Sequence, residues 1–124
     1  MKQKILGLRT AIYPVADINA ARQWYENAFE TAPYFNEPFY VGFDIGGYEL
    51  GLLPDENPVI NKTENVVAYW GVDDINAEFE RMKSLGAEEV ETPHDVGGDI
   101  KVAKLKDPWG NYIGLIFNPH FKLP

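Results

Sequence analysis

The chain has 124 residues, no cysteine, 19 acidic against 11 basic side chains, and a formal charge of −8. That length fits one domain spanning 1–124 with a core of its own, and 45% hydrophobic residues exclude a disordered chain. The missing cysteines exclude a disulfide framework, a thiolate zinc site and a cysteine nucleophile, while the acidic balance argues against nucleic acid as a partner. No apolar run is long enough to span a membrane or to serve as a secretory leader. The expectation is a cytoplasmic protein with no membrane partner.

In chain order, residues 5–13 read as a strand ending at Pro14. Asp17 follows as the N-cap of a helix over 18–29, where Ile18, Ala21, Tyr25 and Ala28 recur at helical spacing. A short strand is expected near Tyr34–Phe35. Phe39–Ile45 and Tyr48–Leu53 form strands around a Gly46-Gly47 turn. Residues 55–64 are a linker. Asn65–Val72 is a strand, and Asp74 caps a helix with Ile75, Phe79 and Met82 on one face, which Gly86 ends. Strands Ala87–Thr92 and Ile100–Leu105 follow. Asp107-Pro108-Trp109-Gly110 is a turn with proline second and glycine fourth, and Tyr112–Phe117 is the last strand.

This order contains a repeat. Val15, Asp17, Ile18, Asn19 and Ala20 recur as Val72, Asp74, Ile75, Asn76 and Ala77, and Gly47 and Gly51 recur as Gly110 and Gly114. The fold class is therefore α+β, built from two βαβββ modules at about 5–54 and 65–118.

Two βαβββ units, a V-x-D-hydrophobic-x-Ala helix opening in each and D-P-W-G-N before the last strand together resemble the vicinal oxygen chelate superfamily. That group contains glyoxalase, bleomycin-resistance and extradiol dioxygenase proteins. The resemblance implies a curved mixed sheet around a cavity. It also implies four metal-ligand positions, seven residues before each capping aspartate and four after each turn glycine. Here those positions hold Thr10, Val67, Gly51 and Gly114. Valine and glycine offer no donor, and a threonine hydroxyl is a poor ligand for a first-row divalent ion. The expectation is no metal and no cofactor.

Side chains alternate along strands, so Thr10, Glu49, Gly51, Tyr69, Tyr112 and Gly114 share the cavity side with Ile12, Leu53 and Ile116, and Lys104 with Val102 joins them. Gly51 and Gly114 would leave room for an organic ligand. His94, after Pro93 in a loop, would touch it. Glu49 would favour a cationic group or pair with Lys104. These residues suggest a metal-independent homodimer that binds a small aromatic or cationic molecule. One alternative is a lyase or isomerase of lactoylglutathione lyase type. There Glu49 would be the base beside a carbonyl, with Tyr69, Tyr112 or Lys104 stabilising the enolate oxygen. Another is a structural or subunit role, the cavity being filled by the chain's own side chains.

Overall fold

The computed structural model describes residues 6–59, 62–63 and 66–121. Their elements run β1 (Thr10–Val15), α1 (Ile18–Ala28), β2 (Phe35–Glu37), β3 (Tyr40–Ile45), β4 (Tyr48–Pro54), β5 (Tyr69–Gly71), α2 (Ile75–Ser84), β6 (Glu88–Gly97), β7 (Ile100–Lys106) and β8 (Tyr112–Phe117). Two compact units meet in sequence at Pro58/Val59. Each holds one βαβββ module, with sheet orders β1-β4-β3-β2 and β5-β8-β7-β6. The first strand of each module pairs in parallel with its last; the other pairs are antiparallel.

Both helices begin where an aspartate can cap them. Asp17 accepts from the Ala20 amide and Asp74 from the Ala77 amide, each at 3.1 Å. Gly86, at φ 107°, lets the chain leave α2 in a left-handed turn that a side chain would resist. Val41, Phe43, Leu50 and Leu52 bury one face of the first sheet with Ala21 and Tyr25 of α1. Ala103, Leu105, Ile113 and Leu115 do the same in the second unit with Phe79 and Met82 of α2. The strand parity expected from the sequence holds, including on β7.

Several boundaries differ from expectation. β1 starts at Thr10 and runs through Pro14 to Val15. It is the outermost strand of its own sheet, where proline costs no shared ladder bond. β4 runs one residue further than expected, to Pro54, and residues 60, 61, 64 and 65 of the linker region lie outside the described residues. β5 is only Tyr69–Gly71, so Val67 precedes the strand. β6 extends to Gly97, absorbing Pro93 by register shifts between Glu89 and Glu91 and between Glu91 and His94. The sequence therefore misplaced His94, which stands on a strand and pairs in register with Val102. Among the described residues no helix is long and apolar enough to cross a membrane.

Candidate functional site

The open face of the first sheet carries the densest polar chemistry. β1 and β4 run in parallel with Thr10 beside Glu49. β3 and β4 pair through the Gly46-Gly47 turn, setting Gly42 beside Gly51 and Asp44 beside Glu49. Directly paired residues share a face, so Thr10, Glu49, Gly51, Gly42 and Asp44 all stand opposite the helix.

Glu49 is the centre. Thr10 Oγ1 donates to its Oε1 at 2.8 Å. The Tyr34 hydroxyl, from the loop before β2, donates to Oε2. The Tyr40 hydroxyl adds a further, smaller pull on the carboxyl. Tyr34 first, then Thr10 and Tyr40, hold the Glu49 carboxyl below its usual range, although partial burial pulls the other way. The two phenols respond in kind. Tyr34 is pushed up, mainly by its bond to Glu49. Tyr40 is pushed up to about 12, first by burial and then by Glu49.

Two glycines make this convergence possible. A Cβ at Gly42 would come within 2.8 Å of Glu49 Oε2 and 3.0 Å of Tyr34 Cε1. A Cβ at Gly51 would land on the Tyr40 hydroxyl, with Tyr40 Cζ 2.8 Å away. The room for a ligand expected at Gly51 is therefore taken by a neighbouring tyrosine. An open cleft of about 320 Å³ lies alongside, lined by Arg9, Thr10, Tyr34, Asp44, Tyr48 and Glu49. Arg9 does not spend its charge on Glu49. Its guanidinium donates to the Leu6 carbonyl at 3.0 Å.

The second unit repeats the glycine motif with another partner. A Cβ at Gly114 would meet Tyr69 Cδ1 at 2.6 Å and the Ala68 carbonyl oxygen at 2.8 Å. The expected room at Gly114 is thus taken by Tyr69. Lys104 is in register with Gly114, and its ammonium lies 3.6 Å from Glu91. Glu91 reaches Lys104 from the neighbouring strand β6. The Tyr112 ring lies under the Lys106 ammonium, 5.1 Å from the ring centre. His94 is exposed and its Nδ1 lies 2.8 Å from the Thr92 carbonyl oxygen. The structure thus joins Thr10, Glu49 and Gly51 in the first unit, and Tyr69, Gly114 and Lys104 in the second. Tyr34, Tyr40 and Gly42 are members of the Glu49 site that sequence reasoning missed. The register of the Gly46-Gly47 hairpin was the available signal for Tyr40 and Gly42.

A family model for the glyoxalase/bleomycin resistance protein/dioxygenase superfamily matches residues 7–115. The chain belongs to that superfamily. Solved structures agree on the fold. A glyoxalase-related enzyme from Fulvimarina pelagi superposes with a TM-score of 0.81 at 16% identity, covering 97% of this chain and 94% of that one. The fosfomycin resistance protein FosX from Listeria monocytogenes, complexed with Mn(II) and sulfate, gives 0.79 at 18% identity, covering 94% of each. A hypothetical protein from S. aureus gives 0.73 at 19%, covering 94% of this chain and 96% of that one. No curated protein matches.

The donor set does not fit a metal of the kind some superfamily members hold. Thr10 Oγ1 is engaged by Glu49, Val67 has no donor, and rings cover Gly51 and Gly114. Among the described residues no three His, Asp or Glu side chains are grouped to share an ion.

The Tyr40 environment is directly testable by pH. A phenol whose folded pKa lies above its unfolded value of 10.0 stabilises the fold fully below pH 10. That contribution is lost as pH rises through about 12. Titrating phenolate absorbance should show a late phase that shrinks in Tyr40→Phe. An unchanged late phase in that variant would contradict the assignment.

Proposed function

We propose that this superfamily member is a metal-independent binding protein for a small organic cation with an aromatic or apolar body, held on the open face of the first sheet. The observation that carries the reading is Glu49. Its carboxylate is kept ionised by hydrogen bonds from the neutral Thr10 and Tyr34 hydroxyls and stands beside exposed aromatic rings. Asp44 lines the same cleft and offsets the charge of Arg9 there, and the chain's overall −8 draws cations from a distance.

The lyase alternative asks Glu49 to take a proton from carbon. That role calls for a carboxylate of raised basicity, and the hydroxyls lower it. The same observation thus favours binding over proton abstraction.

The test is calorimetric titration with three ligands of matched size, benzyltrimethylammonium, benzyl alcohol and phenylacetate. Metal analysis after exposure to zinc, nickel, manganese and iron accompanies it. Measurable binding of the cation alone, with metal well below one ion per chain, is expected. Preference for phenylacetate, or one tightly held metal per chain, would overturn the reading.

A further inference from the structure

The chemistry of Glu49 narrows the kind of cation. We infer that the cleft takes a fully alkylated ammonium group in preference to a cation with N–H donors. This rests on the reading above, that the cleft binds organic cations at all. A carboxylate offers about four lone-pair positions on two oxygens. Thr10 occupies one on Oε1 and Tyr34 one on Oε2. Both donors are neutral. They fill acceptor positions and leave the negative charge in place.

The two kinds of cation meet this carboxylate differently. A guanidinium gains most from two parallel N–H···O bonds, and a primary ammonium from directional bonds to free lone pairs. Either would have to share both carboxylate oxygens with hydroxyls already seated, one on each, and meets fewer free lone pairs than a bare carboxylate offers. A quaternary ammonium carries no N–H and forfeits nothing. It is held by charge through space and by the negative faces of aromatic rings.

Those rings are in place. Phe35 stands 6.2 Å from Tyr40 and 6.0 Å from Phe39, ring centre to ring centre. Tyr34 and Phe39 are 64% and 63% exposed, and Phe35 is 38% exposed. Phe39, Phe35 and Tyr40 thus form a run of neighbouring rings, and Tyr34 adds another directly on Glu49. The bare backbone at Gly42 allows Tyr34 and Glu49 to close up. Two other charged groups line the cleft. Asp44 adds to the attraction while accepting from the Gly47 amide at 2.8 Å, and Arg9 turns its guanidinium to the Leu6 carbonyl.

The test compares benzyltrimethylammonium, benzylammonium and benzylguanidinium by calorimetry on the full chain, on Thr10→Val and on Tyr34→Phe. The unsubstituted protein should bind the quaternary ion about tenfold more tightly than either N–H cation. Each variant frees a lone pair on Glu49, so N–H cations should gain and the ratio should fall to about threefold or less. Circular dichroism checks that both variants fold; should one not, the unsubstituted protein's ratio decides. Equal affinities, or a preference for guanidinium, would overturn this inference and leave the organic-cation reading standing. A ratio unchanged in both folded variants would also overturn it. Failure of all three cations to bind would overturn both.

Discussion

Replacing Asp107 with alanine is expected to cost about 3 kcal/mol or more of stability, because several buried amides lose one acceptor together. Asp107 is 3% exposed. Its Oδ1 accepts from the Trp109 amide at 2.9 Å and from the Asn111 amide at 2.8 Å, and its Oδ2 accepts from Asn111 Nδ2 at 2.9 Å. The backbone closes the same turn, with Gly110 N–H on the Asp107 carbonyl and Asp107 N–H on the Asn111 carbonyl. Gly110 has φ 88°, so the turn depends on a residue free to enter the left-handed region. Asn111 is itself 5% exposed, and water cannot readily take the place of the lost carboxylate.

The effect reaches the second unit's open face. This turn joins β7 to β8, and β8 carries Tyr112 and Gly114. Thermal unfolding should show a midpoint about 10 °C lower or more, given that 1 kcal/mol moves a small domain by several degrees. Asp107→Asn should fall between the two, since one oxygen can still accept while its amide meets the Asn111 amide donor to donor. A loss under about 1 kcal/mol for Asp107→Ala would mean that other groups of the turn replace the carboxylate.

Much of the fold was legible because short-range rules decide it. Asp17 and Asp74 precede apolar residues at helical spacing, and both cap as their chemistry dictates. Alternation places Leu50, Leu52, Ile113 and Leu115 toward the helices whatever happens elsewhere in the chain. β6 was less legible. Pro93 reads as a strand end, yet an outermost strand with bulges accommodates it, and nothing local announces a bulge.

The site was legible in half. Thr10 and Glu49 could be placed on one face by counting, but Tyr34 sits in a loop whose path no periodicity fixes. Gly51 and Gly114 were the most misleading positions. At these two positions a Cβ would not fit, but the glycine itself does not say what lies there instead. Room for a ligand and room for a neighbour's ring give the same sequence. Here Tyr40 comes from β3 and Tyr69 from β5, so the two modules fill equivalent positions from different strands. Such a choice depends on side-chain packing across strands, which the repeat in the sequence does not carry.

Glu49→Gln should abolish the preference for cations while keeping the shape of the cleft. Glutamine is close to isosteric, and the Thr10, Tyr34 and Tyr40 hydroxyls can turn to meet an amide as donors or acceptors. What disappears is the charge. Cation affinity should fall about tenfold or more, equivalent to about 1.4 kcal/mol, with little change for a neutral analogue. Binding by the unsubstituted protein should weaken with salt, since Glu49 and Asp44 line an open cleft that ions can enter, and binding by Glu49→Gln should respond less.

Acid supplies an independent check on the same group. The folded pKa of Glu49 lies below the ordinary 4.5, so its ionised form contributes stability that is present above pH 4.5 and is lost as pH falls through the lower folded value. The unsubstituted protein should therefore lose stability relative to Glu49→Gln on acidification through that window. Parallel acid profiles would show that the three hydroxyls do not hold the carboxylate. Equal cation affinity in the two proteins would show that Glu49 is not what the ligand meets.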